Sequence, residues 1–334
     1  MQRILYTLLF FTSLIQADRN EYNLGEGYKV ASLPLYIGGY FSTDFQHIPE
    51  RNLNRFRLDD IALLGYGSMN KFSYMAEFEF KQFYINEWGG YSKHSLNKHL
   101  NTERLYVAYD YNENVALRLG KFNSPIGYWN MIPINVLRDT TSNPNINLSI
   151  YPKYTTGLDA SLSSYTDSQV KLDIIIQNNK DIDDNYNNIK IDKHYAMGLE
   201  YTQDDVSFKF NAGYFHTKQA LAFSSNIYYT LASFKYTNEL LKFMGEIGTQ
   251  FTKDRSLVPY DAYMQVAYQF AQEHVGILRY ESYDNRSLHF TQKDNIMVMA
   301  YTYRPIYPIA LKAEYQFHEY DKQDKFLCSF SVMF

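Results

Sequence analysis

Charged side chains occupy alternate positions within several aromatic-rich segments. In residues 72–80, Glu77 and Glu79 alternate with phenylalanines, and Lys81 continues the charged series. Because successive side chains of a β-strand point to opposite faces, such a segment has one apolar face and one charged face. Charged faces arranged around water set a field that selects ions, whereas covalent chemistry requires a positioned nucleophile or base.

Two other patterns suggest different chemistry. The aspartates between Asp181 and Asp192 imitate a calcium-binding loop, but Tyr186 stands where that loop requires glycine, and Asp192 replaces its terminal glutamate. Ser287 and His289 could be the nucleophile and base of a barrel hydrolase, but they lie almost adjacent in a loop, with no oxyanion motif. We therefore predict no catalytic residue, no metal site and no cofactor.

The overall composition excludes several classes of protein. The 334 residues include 32 Lys and Arg against 36 Asp and Glu, so no basic excess would attract nucleic acid. A single cysteine excludes an internal disulfide framework and a cysteine-rich metal site. The 33 Tyr and 23 Phe, with a mean hydropathy of −0.41, fit a sheet that has one apolar face and one wet face.

The N-terminus has the pattern of an export signal. Arg3 precedes a mostly apolar run over residues 4–15, and the small residue Ala17 comes before the charged Asp18. This run is too short to cross a bilayer as a helix, so we predict a signal peptide at 1–17. A short periplasmic segment, 18–33, and a single barrel, 34–334, would follow.

From residue 34 onward, stretches of alternating polarity are separated by connections, and every second connection is very short. Short turns at one end and long loops at the other are typical of an all-β, antiparallel transmembrane barrel, with the turns in the periplasm. The alternative is a soluble β-sandwich or a β-solenoid, but no short repeat is present. We predict about sixteen strands, near 34–43, 54–67, 71–84, 103–111, 114–122, 154–164, 168–178, 193–202, 205–216, 226–237, 240–252, 258–270, 273–283, 293–304, 307–319 and 324–334.

Residues 118–130 resemble a segment that recurs in Gram-negative porins, in which a strand ends in Gly-Lys-Phe and enters a loop through a Pro-x-Gly turn. Here the strand ends at Phe122 and the turn contains Pro125 and Gly127, while Ser124 replaces the common threonine. The last strand alternates apolar residues and stops at Phe334, which resembles the terminal assembly signal of outer-membrane proteins. With the export signal and the strand rhythm, the porin resemblance covers essentially the whole mature chain.

The resemblance implies a water-filled outer-membrane channel for passive diffusion of ions and small polar solutes, and not an enzyme. It also implies contact with outer-membrane lipid, lipopolysaccharide and, through Phe334, the barrel assembly machinery; a homotrimer would fit the family. Some porins favour phosphate through a dense lumenal run of basic residues, which is absent here. The alternatives are a porin that prefers sugars or anions, a plugged adhesin, a barrel enzyme and an energy-coupled transporter.

In general porins, the third long external loop folds inward and narrows the channel. The third long loop of this sequence is 123–153. By this resemblance, the candidates for the constriction are Trp129, Asn135, Arg138, Asp139 and Lys153. The loop's many apolar residues favour a packed segment, because a solvent-exposed loop rarely carries so many. The alternative is an outward-facing surface loop.

Alternation assigns nearly equal numbers of positive and negative side chains to the inner face, which predicts weak selectivity or a transverse field between opposite walls. In the alternative of a porin that prefers sugars, Tyr106 and Tyr263 would be the lumenal rings on which a sugar could stack. The predicted pore-lining residues on strands are Arg55, Arg57, Glu77, Arg104, Arg118 and Lys121. The other assigned charges are Lys81, Lys171, Lys209, Lys242, Lys312, Asp59, Glu79, Asp110, Asp159, Asp173, Glu200, Glu246, Asp261 and Glu314.

Overall fold

The computed structural model describes residues 22–90, 92–217, 225–287, 292–321 and 323–334. The predicted signal peptide, the first residues of the segment after it, and His289 lie outside this range. Sixteen long antiparallel strands make up most of the described chain. They are β1 (Tyr36–Ile48), β2 (Leu53–Met69), β3 (Phe72–Gly89), β4 (Leu100–Asn112), β5 (Val115–Asn123), β6 (Tyr154–Tyr165), β7 (Gln169–Gln177), β8 (Ile191–Gln203), β9 (Val206–Thr217), β10 (Asn226–Thr237), β11 (Leu241–Phe251), β12 (Ser256–Ala271), β13 (His274–Asn285), β14 (Gln292–Ile306), β15 (Ile309–His318) and β16 (Lys325–Met333).

Each strand pairs with its neighbours in sequence, and the last strand closes the sheet on the first. The register between β16 and β1 runs from Phe326 opposite His47 to Met333 opposite Tyr40. The predicted sixteen-stranded antiparallel barrel is therefore confirmed. No helix in the described ranges is long and apolar enough to span a membrane.

Alternation along the strands explains the two faces of the wall. In β8, Tyr195, Met197 and Leu199 point outward and are exposed, whereas His194 and Ala196 point inward and are buried. An outer face of large apolar side chains suits lipid, and a polar inner face suits water or a packed loop. Among the described residues, a single layer of strands thus separates the apolar outer face from the polar interior.

Bulges interrupt this alternation at a few positions. The register between β3 and β4 shifts so that Glu103 lies between the paired residues Thr102 and Arg104. A bulge re-aims side chains locally, so Glu103 and Arg104 both face the interior. Strict alternation from Arg104 would place Glu103 on the outer face. A second register shift occurs at Asp59 in β2. Before it, the odd-numbered side chains of β2 point inward, and after it the even-numbered side chains do.

The connections differ between the two ends of the barrel. At one end they contain only two or three residues, and Asn70 and Asp204 adopt left-handed backbone conformations in two of these turns. The C-terminal Phe334 lies at the same end, where its backbone exchanges hydrogen bonds with Gly39. The other end carries longer segments, of which 124–153 and 178–190 reach into the interior.

Three short strands complete the sheet. Tyr22–Asn23 and Gly27–Lys29 form a small hairpin that pairs with the first residues of β1, and Lys93–Leu96 pairs with β3. Strands β1 and β3 run to Ile48 and Gly89, beyond the predicted ends at 43 and 84. Ion pairs between inward side chains and contacts such as Phe45 with Trp88 support these extensions.

Candidate functional site: the loop-lined interior

The interior is divided by the segment 124–153, named here the inner loop. It contains two turns of 3₁₀ helix, Trp129–Met131 and Asn135–Leu137, and one short helix, α1 (Ile146–Ser149). Its apolar side chains form a core with inward residues of β9 and β10: Ile126, Ile146, Ile150, Tyr151, Phe215 and Tyr229, all at most 1% exposed. The inner loop is therefore packed against the wall.

Wall carboxylates hold the backbone of the inner loop. Glu246 of β11 accepts hydrogen bonds from the backbone nitrogens of Tyr128, at 2.5 Å, and Trp129, at 3.0 Å. Glu314 of β15 accepts from the backbone nitrogen of Thr141 at 3.0 Å. Such bonds to a charged acceptor contribute about 1.5–3 kcal/mol each. Glu281 accepts from the backbone nitrogen of Asn145 at 2.8 Å, and Asp261 accepts from the side-chain amide of the same residue at 2.6 Å.

The glycine of the Pro-x-Gly turn allows the loop backbone to come close to the Glu246 carboxylate. Gly127 has a φ of 66°, a left-handed conformation that favours glycine. A Cβ atom at this position would lie 2.8 Å from both carboxylate oxygens of Glu246. The turn motif in the sequence thus matches a requirement for a bare backbone beside a wall carboxylate.

Inward-facing cations complete the attachment by donating to backbone and hydroxyl oxygens of the loop. The Lys312 ammonium lies 2.5 Å from the backbone oxygen of Asn135. Arg279 donates to the hydroxyl of Thr140 at 2.7 Å, and Arg304 donates to the backbone oxygen of Arg138 at 2.8 Å. The sequence prediction missed Arg279 and Arg304, although alternation along β13 and β14 places both on the inner face.

The predicted constriction residues occupy different environments within the inner loop. Trp129 is 1% exposed and packs edge-on against Tyr263, so it lies in the loop core. Asn135 is also buried, as the partner of Lys312. Arg138 donates to the backbone oxygen of Ile132 and is partly exposed. Asp139 accepts from Lys242 at 2.8 Å and from Gln265 at 3.1 Å.

The wall opposite the inner loop carries a row of ion pairs. Arg55 pairs with Glu87 at 2.5 Å, and Arg57 pairs with Asp44 at 2.9 Å. Arg104 pairs with Glu77 of β3. Further along, Arg118 lies 3.8 Å from Asp159, and its guanidinium carbon is 5.2 Å from the centre of the Tyr106 ring. The structure therefore brings five of the six predicted strand residues onto one wall: Arg55, Arg57, Glu77, Arg104 and Arg118.

Three glutamates meet three tyrosine hydroxyls between these ion pairs. The Tyr40 hydroxyl lies within 3.2 Å of carboxylate oxygens of Glu77, Glu79 and Glu103. Tyr154 and Tyr186 also donate to Glu103, at 2.5 and 2.8 Å. Tyr186 belongs to the segment 178–190, so this cluster fastens a second segment to the interior.

Lys121 takes part in the same attachment. It is completely buried, and its ammonium lies 2.9 Å from Asp181 and 2.7 Å from the backbone oxygen of Asp183. Asp183 also accepts from the backbone nitrogen of Thr102. The aspartates that imitate a calcium loop are thus engaged with protein groups, and the described residues contain no cluster of three or more potential metal ligands.

No protein-family model matches the sequence, and no curated protein matches it. Solved structures resemble it: Salmonella typhi OmpF in complex with daunomycin has a TM-score of 0.62 at 9% identity, over 90% of this chain and 97% of that chain. The anion-selective porin of Comamonas acidovorans scores 0.60 at 10% identity, over 90% and 98%. The Acinetobacter baumannii outer-membrane channel DcaP scores 0.58 at 11% identity, over 92% and 100%.

The chain has the fold of the Gram-negative outer-membrane porins. In this porin fold the interior contains a titratable group at the end of the inner loop, Lys153. Burial, reinforced by the positive charges of Lys81 and Arg138, lowers the pKa of Lys153 to about 7. Its charge therefore changes within the physiological range of pH.

Two other functions were considered from the sequence, a barrel hydrolase and a sugar path, and the structure describes some of the residues proposed for them. The Ser287 hydroxyl donates to Asn285 at 2.6 Å, and the predicted partner His289 is not among the described residues. Tyr263, proposed for a sugar path, is buried against Trp129. Tyr106, the other residue proposed for a sugar path, is partly exposed on the inner face and has the Arg118 guanidinium 5.2 Å from its ring centre.

Proposed function

We propose that this protein is an outer-membrane porin through which ions and small polar solutes diffuse passively. The observation that carries the proposal is a closed sixteen-stranded barrel with an apolar outside, a charged inside and a loop fastened along one inner wall. A barrel of this strand number is wide enough for an aqueous channel that a loop narrows without filling. Partly exposed inner cations, such as Arg55 and Arg118, support a water-filled passage beside the loop.

The orientation and partners follow from the ends of the barrel. The short-turn end, with Phe334, would face the periplasm, and the assembly machinery would recognise the last strand. The long-loop end would face outward among lipopolysaccharide molecules. A homotrimer is supported by analogy, since one of the similar structures is the trimer form of Vibrio cholerae OmpT, with a TM-score of 0.60.

Passive transport needs no cofactor and no catalytic group, which fits the engagement of Ser287 with Asn285. A barrel hydrolase would instead require an accessible nucleophile beside a base. A plugged adhesin would require the inner loop and the segment 178–190 to close the whole lumen. The partial exposure of the cations on β2 and β5 argues against such closure.

Single-channel recording tests the proposal directly. The purified protein, shown by heat-modifiable electrophoresis to be folded, would be inserted into planar bilayers under a fixed voltage. Discrete, ohmic current steps are expected. A deletion of residues 130–149 serves as the comparison, because removing the inner loop should enlarge the steps. If the folded intact protein gave no current steps and only the deletion variant did, the barrel would be plugged and the proposal would be overturned.

A further inference from the structure

The lumenal charges are nearly balanced in number but unequal in their access to water. In several wall pairs the cation reaches the lumen while its carboxylate is buried beneath it. This difference is large for pairs on three different strands. The exposed fractions of the cation and carboxylate side chains are 29% and 6% for Arg55 with Glu87, 27% and 2% for Arg118 with Asp159, and 30% and 1% for Lys171 with Asp173.

The buried carboxylates have a common structural reason. On one wall, Glu246 and Glu314 are covered by the inner loop, whose N–H groups they accept. On the other wall, Glu77, Glu79 and Glu103 are covered by tyrosines and by Arg104. A buried carboxylate whose charge is met by adjacent donors acts weakly on an ion in the water-filled space. An exposed ammonium or guanidinium acts on it directly.

A few acidic side chains oppose this trend. Glu200 is 20% exposed beside Lys209, which is 4% exposed. Asp139 is 16% exposed, although its partner Lys242 is more exposed, at 26%. Asp59 is half-buried on β2. With Asp60 and the exposed Asp110, these carboxylates are still fewer than the cations that reach water. Those cations include Arg57, Lys242 and Lys81, an exposed residue whose ammonium lies 4.8 Å from the centre of the Tyr186 ring.

The accessible cations are distributed along the length of the barrel. Arg55 lies near the long-loop end of β2, opposite Gln46, and Lys81 lies further in, opposite Asp60. Arg118 and Lys171 continue the series toward the short-turn end, where Lys171 is two residues from the start of β7. Lys153, at the end of the inner loop, completes the set; its ammonium lies 5.9 Å from the centre of the Tyr154 ring.

We infer that the channel prefers small anions, and that the accessible cations Arg55, Lys81, Arg118 and Lys171, with the half-buried Lys153, produce this preference. The inference rests on the proposed function, because it concerns the same water-filled space. It replaces the balanced field expected from the sequence with a net positive field, because more cations than carboxylates reach water along the wall. Small inorganic and organic anions are the corresponding solutes.

The test is the reversal potential of the folded protein in planar bilayers across a potassium chloride gradient. The sign for chloride selectivity is expected. In Lys81→Gln, the ratio of chloride to potassium permeability should fall about twofold, the effect of one charge several ångströms from the ion path in water. The matched control is Lys293→Gln. Lys293 also lies over a tyrosine ring, 5.2 Å from the centre of Tyr320, but on the outer side of β14.

The possible outcomes separate the two proposals. Channels with chloride selectivity that decreases in Lys81→Gln and not in Lys293→Gln support the inference. Channels that select potassium, or that do not discriminate, overturn the anion preference while leaving the porin function intact. Equal decreases in the two variants overturn the assignment to lumenal cations. A folded protein without current steps overturns the porin function and the inference together.

Discussion

The Glu246 carboxylate accepts a 3.0 Å hydrogen bond from the backbone nitrogen of Trp129, although 117 positions separate them in the chain. The bond joins the middle of β11 to the first helical turn of the inner loop. Because the carboxylate lies on the wall and the N–H group on the loop, it holds the loop at a defined distance from that wall. The width of the passage on the other side depends on such contacts.

Replacing Glu246 with alanine is expected to loosen the inner loop. The backbone N–H groups of Tyr128 and Trp129 would lose their acceptor, at a cost of about 1–3 kcal/mol for each unsatisfied group. Differential scanning calorimetry in detergent should show a lower Tm, and single-channel traces should show increased open-channel noise. Glu239→Ala, at the short-turn end, is the control. Unchanged noise together with an unchanged Tm would contradict the role of Glu246.

Replacing Arg118 with glutamine is expected to shift the channel toward cations. The guanidinium is 27% exposed in the lumen, and its removal leaves the more buried Asp159 without its positive neighbour. The permeability ratio of chloride to potassium should fall about twofold. The control is Arg286→Gln, which removes an arginine from an exposed position beyond β13. An unchanged reversal potential for Arg118→Gln would count against this residue as a determinant.

Ion selectivity should vary with pH because of Lys153. Its lowered pKa, about 7, means that the side chain is charged at pH 5.5 and largely neutral at pH 8.5. Lys81 and Arg138 disfavour its positive charge, while Glu103 and Glu79 favour it. Chloride selectivity should therefore be higher at acidic pH and should decrease as the pH rises through about 7.

Two substitutions at the same position isolate this effect. Lys153→Arg keeps the positive charge across the range, so the selectivity should stay near its acidic value. Lys153→Gln removes the charge and should give the alkaline value throughout. Reversal potentials measured from pH 5.5 to 8.5 provide the comparison. A transition near pH 7 that persists in both variants would assign the titration to another group.

Replacing Tyr186 with phenylalanine is expected to free the segment 178–190. The hydroxyl donates to carboxylates of Glu79 and Glu103, and a lost bond of this type costs about 1.5–3 kcal/mol. Trypsin should then cleave faster at Lys180 and Lys190, as measured by gel electrophoresis of the folded protein. Tyr320→Phe, at an exposed position, is the control. Equal cleavage rates in both variants would show that the glutamate cluster does not hold the segment.

The strands and their faces were predictable because they depend on neighbouring residues. Alternation in segments such as 193–202 and 206–210 predicts strands with one apolar face, and the structure confirms sixteen of them in a closed barrel. The short turns were also readable, since residues such as Asn70 and Asp204 tolerate the left-handed backbone that tight turns need. The roles assigned to individual pore residues stay predictions.

Whether each charged side chain is buried or exposed to water was not predictable in this way. Glu246 and Glu200 are equivalent by alternation, yet one is buried beneath the inner loop and the other remains accessible. Glu103 faces inward only because a bulge alters the register of β4. Trp129 and Lys121 occupy sites that the local pattern cannot distinguish from a lumenal surface, and both are buried.

The sequence by itself determined which side chains share a face, because the direction of a side chain is set by the covalent geometry of an extended backbone. Only the tertiary structure decided which of those side chains meet water. That depends on where the inner loop and the segment 178–190 come to rest, through hydrogen bonds between residues more than a hundred positions apart, such as Trp129 and Glu246. An ion responds to accessible charge, so selectivity is a property of this long-range packing.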